Sequence, residues 1–373
     1  MTRFLAVLLL SLSVAACTPR GTITLDPQAA SVGAVRAVFV GTTRKPDPKT
    51  GTFGTGRLEG IDYARLDISV PPDRTLGSIT WPRRGKTPDP SHDFLTTQEQ
   101  IFANAANFRT ELSHALRVSS HGTREAVVYV HGFNNTFAEG VYRIAQLSHD
   151  LDMPGVAVHY SWPSAENPLN YAYDRDSALF ARDGLEKLLT QVAAAGADHI
   201  LIVGHSMGSE LVMEALRQMR LDGNTTVMSR LAGVVLISPD IDVEVFRSEA
   251  LRIGKLPQPF VIFTSQRDRA LALSARLTGQ KVRLGNLKNV SAVADLQVTV
   301  LEVGAFSQGI GHFTAATSPA LIKLLSRISD LNNAFAGDRT GRTGLLPGVV
   351  LTFQNATQVI LSPVAAVAQA VVQ

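Results

Sequence analysis

Ile200-Leu201-Ile202-Val203-Gly204-His205-Ser206-Met207-Gly208 joins a short apolar run to a G-x-S-x-G turn, and the residues that follow have helical spacing. Leu211, Val212, Ala215, Leu216 and Met219 fall on one face, and Arg217 and Arg220 stand where a helix C-terminus favours positive charge. Strand, sharp turn and helix in that order is the setting of a nucleophile elbow. There the serine takes a strained backbone conformation that lifts its hydroxyl clear of the sheet, and the flanking positions must lack bulk. Gly204 and Gly208 supply that room. Ser206 is therefore the expected nucleophile.

Outward from the turn, short apolar runs recur at Val127–Val130, Val156–Tyr160, Val234–Ile237, Phe260–Phe263 and Val298–Val303. Helical patterns separate them, among them Asp174–Val192 with Leu185, Leu188, Leu189 and Val192 on one face. This alternation predicts an α/β fold with a mostly parallel central sheet and helices on both faces. Upstream, Ala34–Val40 and Tyr63–Val70 read as strands, and Thr97–Val118 as a helix. The stretch Gly41–Gly60, rich in glycine, threonine and proline, reads as a long exposed loop. No repeat or linker divides the body, so one domain is expected over residues 32–330. Residues 331–373 read as a C-terminal tail: Thr343–Gln373 has no charged side chain, and its glutamines, asparagine and prolines argue against a membrane span. A tail packed on the body or partly disordered is expected there, with an interfacial segment as the weaker alternative.

Residues 1–16 carry Arg3, the apolar stretch Phe4–Val14 and the small residues Ala15-Ala16 before Cys17. The apolar core is too short to span a bilayer, and the pattern resembles a bacterial lipoprotein signal peptide. That resemblance implies cleavage before Cys17, lipidation of its sulfur, and residues 17–31 as a tether. It places the protein in the cell envelope, on the periplasmic face of the outer membrane if the host is Gram-negative. Cys17 is the single cysteine, so no intramolecular disulfide, zinc cluster or catalytic thiol can form. Hydrophobic residues make up 45% and charged residues 18% of 373, enough for a large core. A net charge of +3, without basic runs or basic-aromatic interleaving, excludes a nucleic-acid groove as the expected partner.

A serine hydroxyl needs a base, and the base needs a carboxylate to fix its tautomer and stabilise its charge. In α/β-hydrolases these follow in the order serine, acid, histidine. His312 is the one histidine beyond the elbow, after the last of these strands and before a helix capped by Ser318 with Pro319 in its first turn. Asp268, after Phe260–Phe263, is the preferred acid because the commoner geometry draws it from the penultimate strand. Asp240 and Asp242, after Val234–Ile237, are the alternatives, with helix capping as their ordinary role; for Asp268 the ordinary role would be pairing with Arg267 or Arg269. The backbone N–H groups of Met207 and Phe133 are the expected oxyanion donors. His131 is read as a structural loop residue, and Asn134 as holding the loop or touching substrate. No metal-ligand spacing or phosphate loop appears, so no metal or cofactor is implied.

Seven motifs in order resemble a known family of bacterial α/β-hydrolases described as esterase- or lipase-like. They are Tyr129-Val130-His131-Gly132-Phe133-Asn134, Ser161-Trp162-Pro163-Ser164, Asp174-Arg175-Asp176-Ser177, His205-Ser206-Met207-Gly208, Ser238-Pro239-Asp240-Ile241-Asp242, Asp268-Arg269-Ala270-Leu271 and Arg283-Leu284-Gly285. The resemblance covers about Val127–Ile328. It implies a serine hydrolase acting on a small-molecule or lipid-like carboxylic ester through the triad Ser206, Asp268 and His312. An acyltransferase with the same triad and a non-catalytic envelope scaffold are the competing expectations, and the oligomeric state is left open.

Overall fold

A computed structural model describes residues 20–119, 122–279, 282–306, 312–325, 348–353 and 356–361. The expected leader, Cys17 and most of residues 326–373 lie outside these. The core is one eleven-stranded sheet: β1 Ala34–Asp47, β2 Thr52–Val70, β3 Leu95–Phe102, β4 Glu125–Val130, β5 Val156–Ser161, β6 His199–His205, β7 Leu231–Ile237, β8 Phe260–Thr264, β9 Thr299–Glu302, β10 Gly348–Phe353 and β11 Ala356–Leu361. Its strand order is β10-β11-β9-β8-β7-β6-β4-β5-β1-β2-β3. Among the described residues every pair from β1 to β11 across the centre is parallel, and only β1–β2, β2–β3 and β10–β11 are antiparallel. The α/β-hydrolase fold with a mostly parallel sheet is thus what the chain forms.

The helices are α1 Ala105–Ser119, α2 Phe137–Asp150, α3 Tyr171–Ala194, α4 Met207–Leu221, α5 Thr225–Met228, α6 Val243–Ile253, α7 Arg269–Leu277, α8 Thr314–Thr317 and α9 Pro319–Leu325. They cover both faces because successive strand residues point to opposite sides. Val128 and Val130 of β4 pack with Phe108, Leu185, Leu211 and Phe246 of α1, α3, α4 and α6. Val127 and Tyr129 pack with Phe137, Val141 and Ile144 of α2 and Leu321 of α9. Among the described residues no helix is long and apolar enough to cross a membrane.

Three regions differ from the sequence reading. Gly41–Gly60 is not an exposed loop but most of a long hairpin, with Arg44 opposite Arg57 and Pro46 opposite Phe53 across register shifts. Turn-favouring residues are tolerated there because the shifts absorb them, and buried Phe53 anchors the hairpin 5.1 Å from the Phe137 ring. Thr97–Val118 is strand β3 followed by α1; Asn104 ends the strand, its Oδ1 accepting from the Ala106 and Asn107 N–H groups at 3.0 Å. The tether expected at residues 17–31 is, over 20–31, docked on the body: Thr96 exchanges backbone bonds with Thr24 and Asp26 at 2.9 and 2.8 Å. In the C-terminal tail, β10 and β11 extend the sheet, and Ala356, Val359 and Leu361 are buried.

Between α4 and α6 the packing encloses carboxyl groups. Glu249 is 4% exposed, and burial, reinforced by the neighbouring Glu214 and Glu210, pushes its carboxyl up to about 9. Burial likewise raises Glu210 to about 7 against the opposing pull of Arg175. A folded state that keeps a proton the unfolded chain releases loses stability as pH rises between the two values. Stability should therefore fall from about pH 4.5 to about pH 9, and Glu249→Gln should flatten that slope in urea titrations at pH 5, 7 and 9. An unchanged slope in the variant would remove Glu249 as its source.

Candidate active site

The loops at the carboxyl ends of β4, β6, β7, β8 and β9 bring the sequence-identified groups to one edge of the sheet, where open α/β sheets place their ligands. Ser206 sits between β6 and α4 with φ 53° and ψ −122°, a conformation disfavoured for any residue with a side chain. Its backbone is tied on both sides: its N–H donates to the Ile237 carbonyl at 2.9 Å, and its carbonyl accepts from the Asp240 N–H at 3.2 Å. The flanking glycines are required by contact. A Cβ on Gly204 would stand 2.9 Å from the Ser209 Cα, and one on Gly208 2.2 Å from the His131 carbonyl oxygen.

The same closeness sets the loop after β4. A Cβ on Gly132 would lie 2.9 Å from the Ser206 Cβ, so the backbone leading into Phe133 runs directly beside the elbow. Among the described residues neither the Met207 nor the Phe133 N–H donates to a protein acceptor. Met207 opens α4 directly after Ser206, and Phe133 follows Gly132 on the adjoining loop. The loop is rigidly held. Trp162 Nε1 donates to the His131 carbonyl at 2.7 Å, and the two rings stack 4.8 Å apart. Burial drives the His131 imidazole well below its ordinary value, which suits a neutral structural ring. Asp174 of α3 accepts from the Asn134 N–H at 3.0 Å, Ser164 Oγ at 2.5 Å and the Ala165 N–H at 2.6 Å.

Asp268 is joined to His312. The imidazole Nδ1 lies 2.8 Å from Oδ2, while Oδ1 accepts from the Leu271 N–H at 3.0 Å as the N-cap of α7. The carboxylate is fully buried and the imidazole 18% exposed, so Nε2 is left as the ring nitrogen for chemistry. His312 stands beside the elbow, its ring centroid 5.0 Å from that of His205, the residue before Ser206. The other acids are engaged elsewhere. Asp240 accepts from Tyr171 Oη at 2.9 Å and Ser274 Oγ at 2.5 Å, and pairs with Arg283 Nε at 3.1 Å. Asp242 caps α6, accepting from the Glu244 and Val245 N–H groups at 2.8 and 3.1 Å.

Two arginines that the sequence reading passed over hold this edge together. Arg44, wholly buried, donates to the Asn135 carbonyl at 2.7 Å, the Gly54 carbonyl at 3.0 Å and Ser161 Oγ at 3.0 Å, and pairs with Glu166 at 3.0 Å. Burial lowers its guanidinium to about 10 despite Glu166. Arg20 donates to the Asn134 carbonyl and Oδ1 at 2.7 and 2.8 Å and pairs with Glu139 at 2.7 Å. Asn134 therefore holds the loop. Arg44→Met would leave Glu166 and several carbonyls without their donor and should cost about 3 kcal/mol in urea unfolding. A loss under about 0.5 kcal/mol would show that water replaces the guanidinium.

The family described as "Alpha/beta hydrolase of unknown function (DUF900)" matches residues 104–328. No curated protein matches the chain. Among solved structures, Aspergillus fumigatus lipase B is similar at 13% identity and a TM-score of 0.38, over 61% of this chain and 57% of its own length. Esterase Est22 is similar at 12% identity and a TM-score of 0.37, over 82% of each chain. A lipase-esterase related protein from Clostridium acetobutylicum is similar at 11% identity and a TM-score of 0.25, over 60% of this chain and 96% of that one.

Proposed function

This chain belongs to that family of α/β hydrolases of unknown function, and from this premise we propose that it is a serine esterase, anchored in the bacterial envelope through a lipid on Cys17. The observation that carries the catalytic reading is the 2.8 Å contact of His312 Nδ1 with buried Asp268 at the rim of the strained Ser206. His312 Nε2 takes the Ser206 proton as Oγ attacks the ester carbonyl; a carbon–oxygen bond to serine forms, and the Met207 and Phe133 N–H groups receive the negative oxygen. The imidazolium then protonates the departing alkoxide as the ester carbon–oxygen bond breaks. Water, deprotonated by the same nitrogen, releases the acid and restores the serine.

Ester cleavage is preferred over amide cleavage on the habit of the fold, which is analogy. A fluorophosphonate probe on the folded protein tests the reading. Covalent labelling mapped to the peptide containing Ser206 is expected; a folded chain that takes no label would favour a non-catalytic scaffold. Products formed with an added alcohol acceptor would mark acyl transfer.

A further inference from the structure

The helix that starts from Asp268 presents an unusual outer face. α7 buries Leu271, Ser274 and Ala275, yet Leu273 and Leu277 are 58% and 64% exposed, on the side of the helix away from the core. Arg269 and Arg276 are exposed beside them, with Arg267 just before the helix and Lys288 beyond it. From residue 269 to residue 294 the sequence contains no aspartate or glutamate. Leucines at a four-residue step on a helix that also exposes Arg269 and Arg276 are what an interfacial helix offers to an anionic lipid surface.

The position of α7 relates this face to the site. Ser274 Oγ lies 2.9 Å from Tyr171 Oη, and the Tyr171 ring meets the Phe133 ring at 5.4 Å. Leu169, two residues before Tyr171, is 88% exposed. Further round the same edge, Arg20 is bound to Asn134 and, at 3.3 Å, to the Glu166 carbonyl. Cys17 is three residues before Arg20 in the sequence.

We propose that the Leu273 and Leu277 face of α7, with Leu169, seats on an anionic membrane surface and holds the catalytic edge against it. The occupant is the lipid surface. Charge selects the headgroups, and the leucines enter the interface. This extends the ester-hydrolase reading toward substrates held in or beside a bilayer, but it does not depend on turnover.

The test is spectroscopic and uses the full chain. Leu277→Trp, and as a control Val118→Trp at the exposed end of α1 near the opposite edge, are mixed with phosphatidylglycerol vesicles and then with vesicles carrying brominated acyl chains. The tryptophan at 277 should shift to the blue and be quenched, while that at 118 should do neither. Leu273→Asp in the Leu277→Trp chain should lower apparent vesicle affinity at this face about tenfold or more, and replacing both Arg269 and Arg276 by glutamine about tenfold. Equal responses at 118 and 277, or none at 277, would overturn the proposal. So would a face that reports only self-association, with an apparent mass reduced to the monomer by Leu277→Asp. Fluorophosphonate labelling of the same preparations reads the catalytic proposal separately.

Discussion

Ser206→Ala should lower the turnover of a short-chain aryl ester by roughly a million-fold, the scale on which loss of a triad nucleophile acts. The chain spends its structure on this one hydroxyl: φ 53° at residue 206, two glycines that no other residue can replace without collision, and a loop pressed against the turn. Alanine meets the same backbone strain as serine, so the elbow should persist and KM should change little. Thermal unfolding within a few degrees of wild type would establish that the loss is chemical. A variant that keeps more than about one hundredth of the rate would place the nucleophile elsewhere.

Asp268→Asn should lower kcat by about four orders of magnitude, because an amide at the 2.8 Å contact favours the wrong tautomer of His312 and offers no charge to the imidazolium. Asp240→Asn should act differently. Its carboxylate faces buried Arg283 and the hydroxyls of Tyr171 and Ser274, so its neutralisation leaves a buried cation unpaired and should cost about 3–5 kcal/mol of stability. Parallel measurement of kcat and urea midpoints separates the two. If Asp240→Asn carries the larger loss in kcat while remaining as stable as wild type, the assignment of the acid is wrong.

Much of this was legible in the residues themselves. The elbow is a local motif whose strand, turn and helix follow one another within about two dozen residues, so periodicity and two glycines suffice to read it. His312 was found because it is the one histidine past Ser206. The peripheral strands were harder. Arg44 and Phe53 lie in a stretch whose composition signals loop, and only pairing across the hairpin makes strands of it. Thr97–Phe102 reads as the start of a helix in sequence, and pairing with β2 makes it a strand.

By itself, then, the sequence determined the alternating architecture, the strained serine and the chain order of its partners, because each is written in spacing that acts over a few residues. Tertiary structure alone decided which aspartate meets His312, since the loops after β7 and β8 both end at the Ser206 edge of the sheet and differ in where their side chains find donors. It also decided that Arg20 and Arg44 clamp the loop after β4 from 114 and 91 residues away. Contacts across such separations are fixed by sheet register and burial, which no local pattern encodes.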